Sequence, residues 1–145
     1  MLRTLLSGIK KWLEDDEAEW FDGIAVVVAT KGELASTIDA ALGKLGLCIV
    51  IEAVSGKLAH LAGNLRTEPL IHITVYENVL INRQGETYKT AEDVMERVAW
   101  MLRGGQATPP PVYAQTWMLV DDSSDELTYG IDATTRGAVT VEVAP

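Results

Sequence analysis

The sequence predicts an α+β domain, in which an antiparallel or mixed β-sheet packs in two layers against helices that lie mainly on one face. Two observations predict this class. Segments with helical spacing of apolar residues alternate with β-rich runs that are bounded by glycine. Paired strand segments also lie on both sides of the most regular helix, as expected for hairpins that flank a helix. The 145-residue length suits one such domain, spanning residues 1–145.

The first element is a short amphipathic helix. Its apolar residues recur at spacings of three and four, with Lys10 and Lys11 off the stripe: Leu2, Leu5, Leu6, Ile9, Trp12 and Leu13. The acidic run 14–17 follows at the C-terminal end, where the helix dipole disfavours negative charge, so we expect the helix to end there and a hydrated loop to begin.

The next segments alternate between strand and helix. Residues 23–29 are β-branched and bounded by glycines, which predicts a short strand. Residues 33–45 have a helical period that stops at Gly46, and residues 47–54 are again β-rich. From Leu70 to Ile81 apolar and polar residues alternate, which predicts a strand with one buried face. The intervening residues 57–69 form either a long hairpin loop or an extension of both strands.

A capped helix and a second set of strands complete the chain. Thr90 and Asp93 form a capping-box-like start, and the apolar stripe that follows ends at Gly104. Residues 114–120 and 127–134 predict two strands separated by the polar turn 121–126, and a last strand is predicted over 138–143.

Composition limits the partners and the compartment. The chain has 21 acidic and 12 basic residues, a formal net charge of −9, which argues against nucleic-acid binding because phosphate backbones would be repelled. No segment approaches the roughly 18 apolar residues of a membrane span, and the N-terminus lacks a signal-peptide pattern. Since Cys48 is the single cysteine, no disulfide framework can form. We therefore expect cytoplasmic synthesis and no membrane partner.

No residue pattern predicts catalysis, a cofactor or a metal. His60 and His72 fall in different segments without nearby ligands, and Cys48 lies in an apolar run where a strand should bury it. The acidic turn 121–126 lacks the alternating ligands of a calcium loop, so a hydrated hairpin turn is the better interpretation. We therefore predict no catalytic, cofactor-binding or metal-binding residues.

Aromatic residues give the candidate contact surface. Trp and Tyr are common interface anchors, although packing within the protomer is the commoner use of any one of them. The N-terminal segment 1–22, a helix and an acidic loop, is the candidate interaction arm. A terminal helix that is attached only through an acidic loop has more apolar surface than its own domain easily buries. The candidate subunit-interface residues are Leu5, Ile9, Trp12, Trp20 and Phe21.

Four stretches of the chain resemble phage proteins. They are Val75–Arg83, the capped helix Thr90–Arg103, the hairpin end Leu127–Asp132, and the earlier segment Ile38–Val50. The proteins that they resemble are associated with tail-terminator or tail-completion roles in long-tailed phages and prophages. The resemblance implies a homo-oligomeric ring, commonly a hexamer, that caps the tail tube and meets the head–tail connector. It also implies a protein that is made in the host cytoplasm and ends in the virion tail.

Two other classes of function remain open. A small intracellular enzyme could assemble a dispersed site around His72, Glu77 and Arg83. A pocket with convergent titratable groups would favour that class, and a flat surface there would exclude it. A protein-binding adaptor outside phage biology would differ mainly in its partner, which neighbouring genes would reveal.

Overall fold

A computed structural model describes residues 2–29, 34–82 and 89–141 of the chain. The helices are α1 (Leu2–Glu14), α2 (Leu34–Leu45), α3 (Val79–Asn82) and α4 (Ala91–Met101). The strands are β1 (Ala25–Val28), β2 (Leu47–Leu61), β3 (Asn64–Asn78), β4 (Tyr113–Asp122), β5 (Glu126–Thr134) and β6 (Val139–Thr140). The predicted α+β class is confirmed. Glu33, Arg83 and Val143, which belong to segments interpreted from the sequence, lie outside the described residues.

The sheet is mixed, with the strand order β1-β2-β3-β5-β4 and with β6 pairing the outer part of β3. Only the β1–β2 pair is parallel among the described strands. Residues 57–69 extend both strands of the β2–β3 hairpin, which settles the choice between loop and strand. The two-residue turn of Ala62 and Gly63 has φ angles of +51° and +81°, as a type I′ hairpin turn requires.

One face of the sheet carries the main core. The alternation in β3 holds as predicted, because Ile71, Ile73 and Val75 are fully buried on the same face. Helices α1 and α4 cover this face and contribute the largest buried side chains opposite it, among them Ile9 and Leu13. Burial of such side chains at about 1.5 to 3 kcal/mol each is the main source of stability here.

Helix α2 lies on the opposite face, so two of the three longer described helices, α1 and α4, cover one side of the sheet and α2 covers part of the other. It packs beside β1 and β2, over the face that carries Cys48 and Val50, and both of these are buried. It does not extend over β4, whose four consecutive residues 117–120 are exposed. Part of this second face is therefore open to solvent.

Local signals explain where two elements begin and end. The Thr90 hydroxyl accepts from the Asp93 amide and the Asp93 carboxylate accepts from the Thr90 amide, which confirms the predicted capping box of α4. The strand predicted over residues 70–81 instead ends at Asn78, whose side chain accepts from the Ile81 amide and starts the short helix α3.

Candidate functional site

The predicted contact residues of the N-terminal segment pack within the protomer. Ile9 is 0% exposed and Phe21 is 5% exposed, so in this conformation neither side chain can contact a neighbouring subunit. Leu5, Trp12 and Trp20 are partly buried against the same core. These side chains are buried because the apolar stripe of α1 packs against β1 and β2 of the same protomer. A role for these three side chains in a subunit interface stays a prediction.

Polar contacts also hold the segment against α4. The Trp12 indole N–H donates to the Met101 carbonyl at 2.9 Å, and Arg97 donates to the largely buried Asp16 carboxylate at 2.8 and 3.2 Å. Lys89 donates to the Trp20 carbonyl and lies 4.2 Å from the centre of its ring. The acidic loop is therefore docked on the domain, and the segment is not a free arm.

The exposed apolar surface lies instead on the edge strand β4. Four consecutive large side chains are exposed, on both faces of the strand: Trp117 (63%), Met118 (58%), Leu119 (47%) and Val120 (56%). An edge strand also presents unpaired backbone groups, and exposed apolar patches on such edges mark interaction sites. The sequence interpretation took this run for an ordinary strand, because no local pattern shows that a strand lies at an edge.

A trough of about 500 Å³ lies on the second face, between α2 and the strands β3, β5 and β4. Its apolar lining includes Ile38, Leu42, Met118 and Val120. Its acidic lining comprises Asp39, Glu77, Asp121, Glu126 and Asp132, and the described residues that line it include no lysine or arginine. The trough is therefore an apolar channel with a strongly negative border.

The trough brings together two of the three residues of the enzyme hypothesis. His72 and Glu77 both line it, and Arg83 lies outside the described residues. The His72 imidazole is in contact with the Asp132 carboxylate, which also accepts from the Thr116 hydroxyl at 3.4 Å. No serine or cysteine is among the described lining residues, so a histidine-activated thiol or serine hydroxyl is missing there.

Glu77 has a structural task that occupies its carboxylate. It is 2% exposed and accepts from the Ala91 amide at 2.6 Å and from the Asn82 side chain at 3.1 Å. The Asn82 amide nitrogen also donates to the Lys89 carbonyl at 2.6 Å. The carboxylate thus faces the positive end of the α4 dipole and connects β3, α3 and α4. This arrangement gives a physical reason for the Glu and Asn residues of the 77–82 stretch.

The outer part of the β2–β3 hairpin, residues 54–66, forms a second exposed feature, which we call the hairpin arm. A register shift between Ala53 and Ser55 separates it from the body of the sheet. Its described side chains are exposed except for the half-buried Leu65, and the apolar Leu58 is 64% exposed. Lys57 and Arg66 give it positive charge in a chain of net charge −9.

Other chemistry is sparse in the described parts of the chain. Burial raises the pKa of the Cys48 thiol to about 11, which fits the predicted inert role. Across residues 2–29, 34–82 and 89–141, no three His, Cys, Asp or Glu residues cluster as metal ligands would. None of the described helices is long and apolar enough to cross a bilayer.

Comparison with known proteins identifies a shared fold. No known protein family matches the sequence, and no curated protein matches it either. Among solved structures, the chain is similar to one from the virion of a native gene transfer agent particle, with a TM-score of 0.57 and 13% sequence identity. The similarity covers 94% of this chain and 95% of that one. The chain therefore shares its fold, over nearly its whole length, with a chain from the virion of a gene transfer agent particle.

Proposed function

We propose that this protein is a structural subunit of a phage-like virion, and specifically a tail-terminator or tail-completion subunit. In this role it forms a homo-oligomeric ring that caps the tail tube and joins it to the head–tail connector. It is made in the host cytoplasm and becomes part of the virion tail. The observation that carries the proposal is the fold shared with a chain of a gene transfer agent virion, since that likeness spans nearly all of both chains.

The surfaces of the protein support an assembly role. The run of exposed apolar side chains on β4 and the projecting hairpin arm both offer contact area that a monomer leaves in water. Ring-forming contacts pair two different surfaces of one subunit. This chain has two surfaces of opposite charge, the basic hairpin arm and the acidic trough. The resemblance of the four stretches between Ile38 and Asp132 to tail-terminator and tail-completion proteins supports the position within the tail.

The test is co-assembly with a tail-tube protein encoded by the same genome. Electron microscopy of the two purified proteins should give tubes that end in a ring of this subunit, and removal of the gene should give tubes of uncontrolled length. A subunit that polymerises along the whole tube would instead be a tube protein. If the protein binds neither tube nor connector proteins at any mixing ratio, the proposal is wrong.

A second candidate function is binding or turnover of a small cationic ligand in the trough. The pairing of His72 with Asp132 inside an acidic cavity of about 500 Å³ favours it. The two candidates predict different results for His72→Ala. An assembly subunit should form tail ends normally, whereas a ligand-binding protein should lose the heat of binding that calorimetry detects for its amine ligand.

A further inference from the structure

We propose that the hairpin arm (residues 54–66) of one copy docks in the acidic trough of a second copy of this chain. The inference deepens the proposed function, because it names the contact through which the subunits of the assembly associate. Three features of the described residues carry it: complementary charge, complementary apolar surface, and a geometry that places the two surfaces at opposite ends of the sheet.

The arm is basic, although the chain as a whole is acidic. Between residues 54 and 66 it carries Lys57 and Arg66, with His60 near the tip and no acidic residue. Glu68 pairs with Lys57 in the strand register, yet within the described chain neither Lys57 nor Arg66 is in a salt bridge. Both cations are therefore available to a partner.

The trough provides the opposite charge. Its exposed border carries Asp39, Asp121 and Glu126, with Asp132 beside His72 on the floor. Such a surface attracts a basic segment and repels other parts of an acidic chain of net charge −9. The arm is an exposed basic segment that fits this requirement, whereas the basic helix α1 packs against the core of its own protomer.

Apolar contacts give the pairing a short-range component. The arm exposes Val54 (43%) and Leu58 (64%), and the trough border exposes Met118 (58%) and Val120 (56%). An apolar centre with a charged border is the usual composition of a specific protein interface. Docking would cover side chains on both surfaces that the single copy leaves in water.

The geometry requires that the contact be between two copies. Strand β3 runs from the arm turn at Asn64 to Asn78, and Asn78 pairs with Glu126 at the far end of the sheet. The trough residues His72 to Tyr76 lie 8 to 12 residues along this strand, roughly 25 to 40 Å from the tip at ~3.3 Å per residue. An arm that points away from its own trough can fill only a neighbour's trough. Such a head-to-tail contact generates a ring, or a filament if the rotation does not close.

Charge reversal of each surface tests the contact in the full-length protein. Sedimentation velocity over a wide concentration range should show that the wild type self-associates, and less strongly as ionic strength rises. The arm variant Lys57→Glu/Arg66→Glu and the trough variant Asp121→Lys/Glu126→Lys should each lose self-affinity by at least about tenfold. An equimolar mixture of the two variants should recover association, because the reversed arm then meets the reversed trough.

The matched control is Lys10→Glu/Lys11→Glu, which makes the same charge change on α1, on the opposite face of the sheet. It should associate like the wild type, and all variants should keep the wild-type thermal transition because the altered side chains are at the surface. A wild type that stays monomeric at every concentration overturns the inference, as does a mixture that fails to recover association. If both charge-reversal variants still self-associate and still cap tubes, the proposed contact is wrong but the proposed function stands. Arm-dependent association without binding to tube proteins overturns only the proposed function.

Discussion

Replacing Glu77 by Ala tests whether the buried carboxylate holds β3, α3 and α4 together. The substitution leaves the Ala91 amide and one N–H of Asn82 without an acceptor in a site that is 2% exposed. Each unsatisfied buried donor costs about 1 to 3 kcal/mol, so we expect the loss of both bonds to lower the free energy of unfolding by about 2 to 6 kcal/mol. For a chain of this size that is a decrease in Tm of roughly 10 °C.

Urea unfolding followed by tryptophan fluorescence and circular dichroism measures this loss. The matched control is Glu68→Ala on the same strand, an exposed glutamate whose removal should change stability by no more than about 0.5 kcal/mol. Glu77→Gln keeps one acceptor oxygen and should fall between the two. Equal stabilities for Glu77→Ala and Glu68→Ala would refute the assignment of Glu77 as a structural carboxylate.

Three further predictions follow from the packing. Gly46→Ala should lower the free energy of unfolding by several kcal/mol, because Gly46 has a φ of +81° and an added Cβ would lie 2.6 Å from the Asn82 backbone nitrogen. Gly43 in α2 has open space around it, so Gly43→Ala should raise the free energy of unfolding by up to about 1 kcal/mol in the same assay. The Cys48 thiol should resist thiol reagents at pH 8 until urea unfolds the chain. The free energy of unfolding should fall between about pH 9 and 11, because the pKa of this thiol is about 11 in the folded protein and 9.0 in the unfolded chain. Deletion of residues 2–14 should abolish the cooperative thermal transition. The three buried side chains of α1 contribute about 1.5 to 3 kcal/mol each, and their sum approaches the whole stability of a domain. If the truncated protein still unfolds cooperatively as a monomer, the helix is an accessory arm.

That last expectation differs from the one drawn from the sequence, in which the N-terminal segment 1–22 is a candidate interaction arm that contacts a neighbouring subunit. The amphipathic stripe of α1 predicts a helix with one face to bury, but it does not say which surface receives that face. In the structure Ile9 and Leu13 are fully buried against the sheet of the same protomer. The tertiary packing therefore makes the helix part of the core.

Local pattern determined most of the elements. The periodicity of α1, the alternation in β3 and the capping box at Thr90 each depend on interactions within a few residues, so the sequence alone was sufficient to predict them. The early end of β3 at Asn78 was missed, because the apolar residues 79–81 continue the strand-like composition while the Asn78 side chain turns the backbone into α3.

The candidate site depended on contacts between residues far apart in the chain. The order β1-β2-β3-β5-β4 leaves β4 at an edge of the sheet, where Trp117 is exposed. Helix α2 docks on the face of the sheet opposite α1 and α4, and a trough remains open beside it. The task of Glu77 likewise arises only when the first turn of α4 reaches the end of β3. Strand order and helix docking are set by the free energy of packing the whole chain, which no local pattern contains. For this protein, the sequence alone therefore determined its fold class, its acidity and most of its elements, and the tertiary structure decided which surfaces remain exposed for partners.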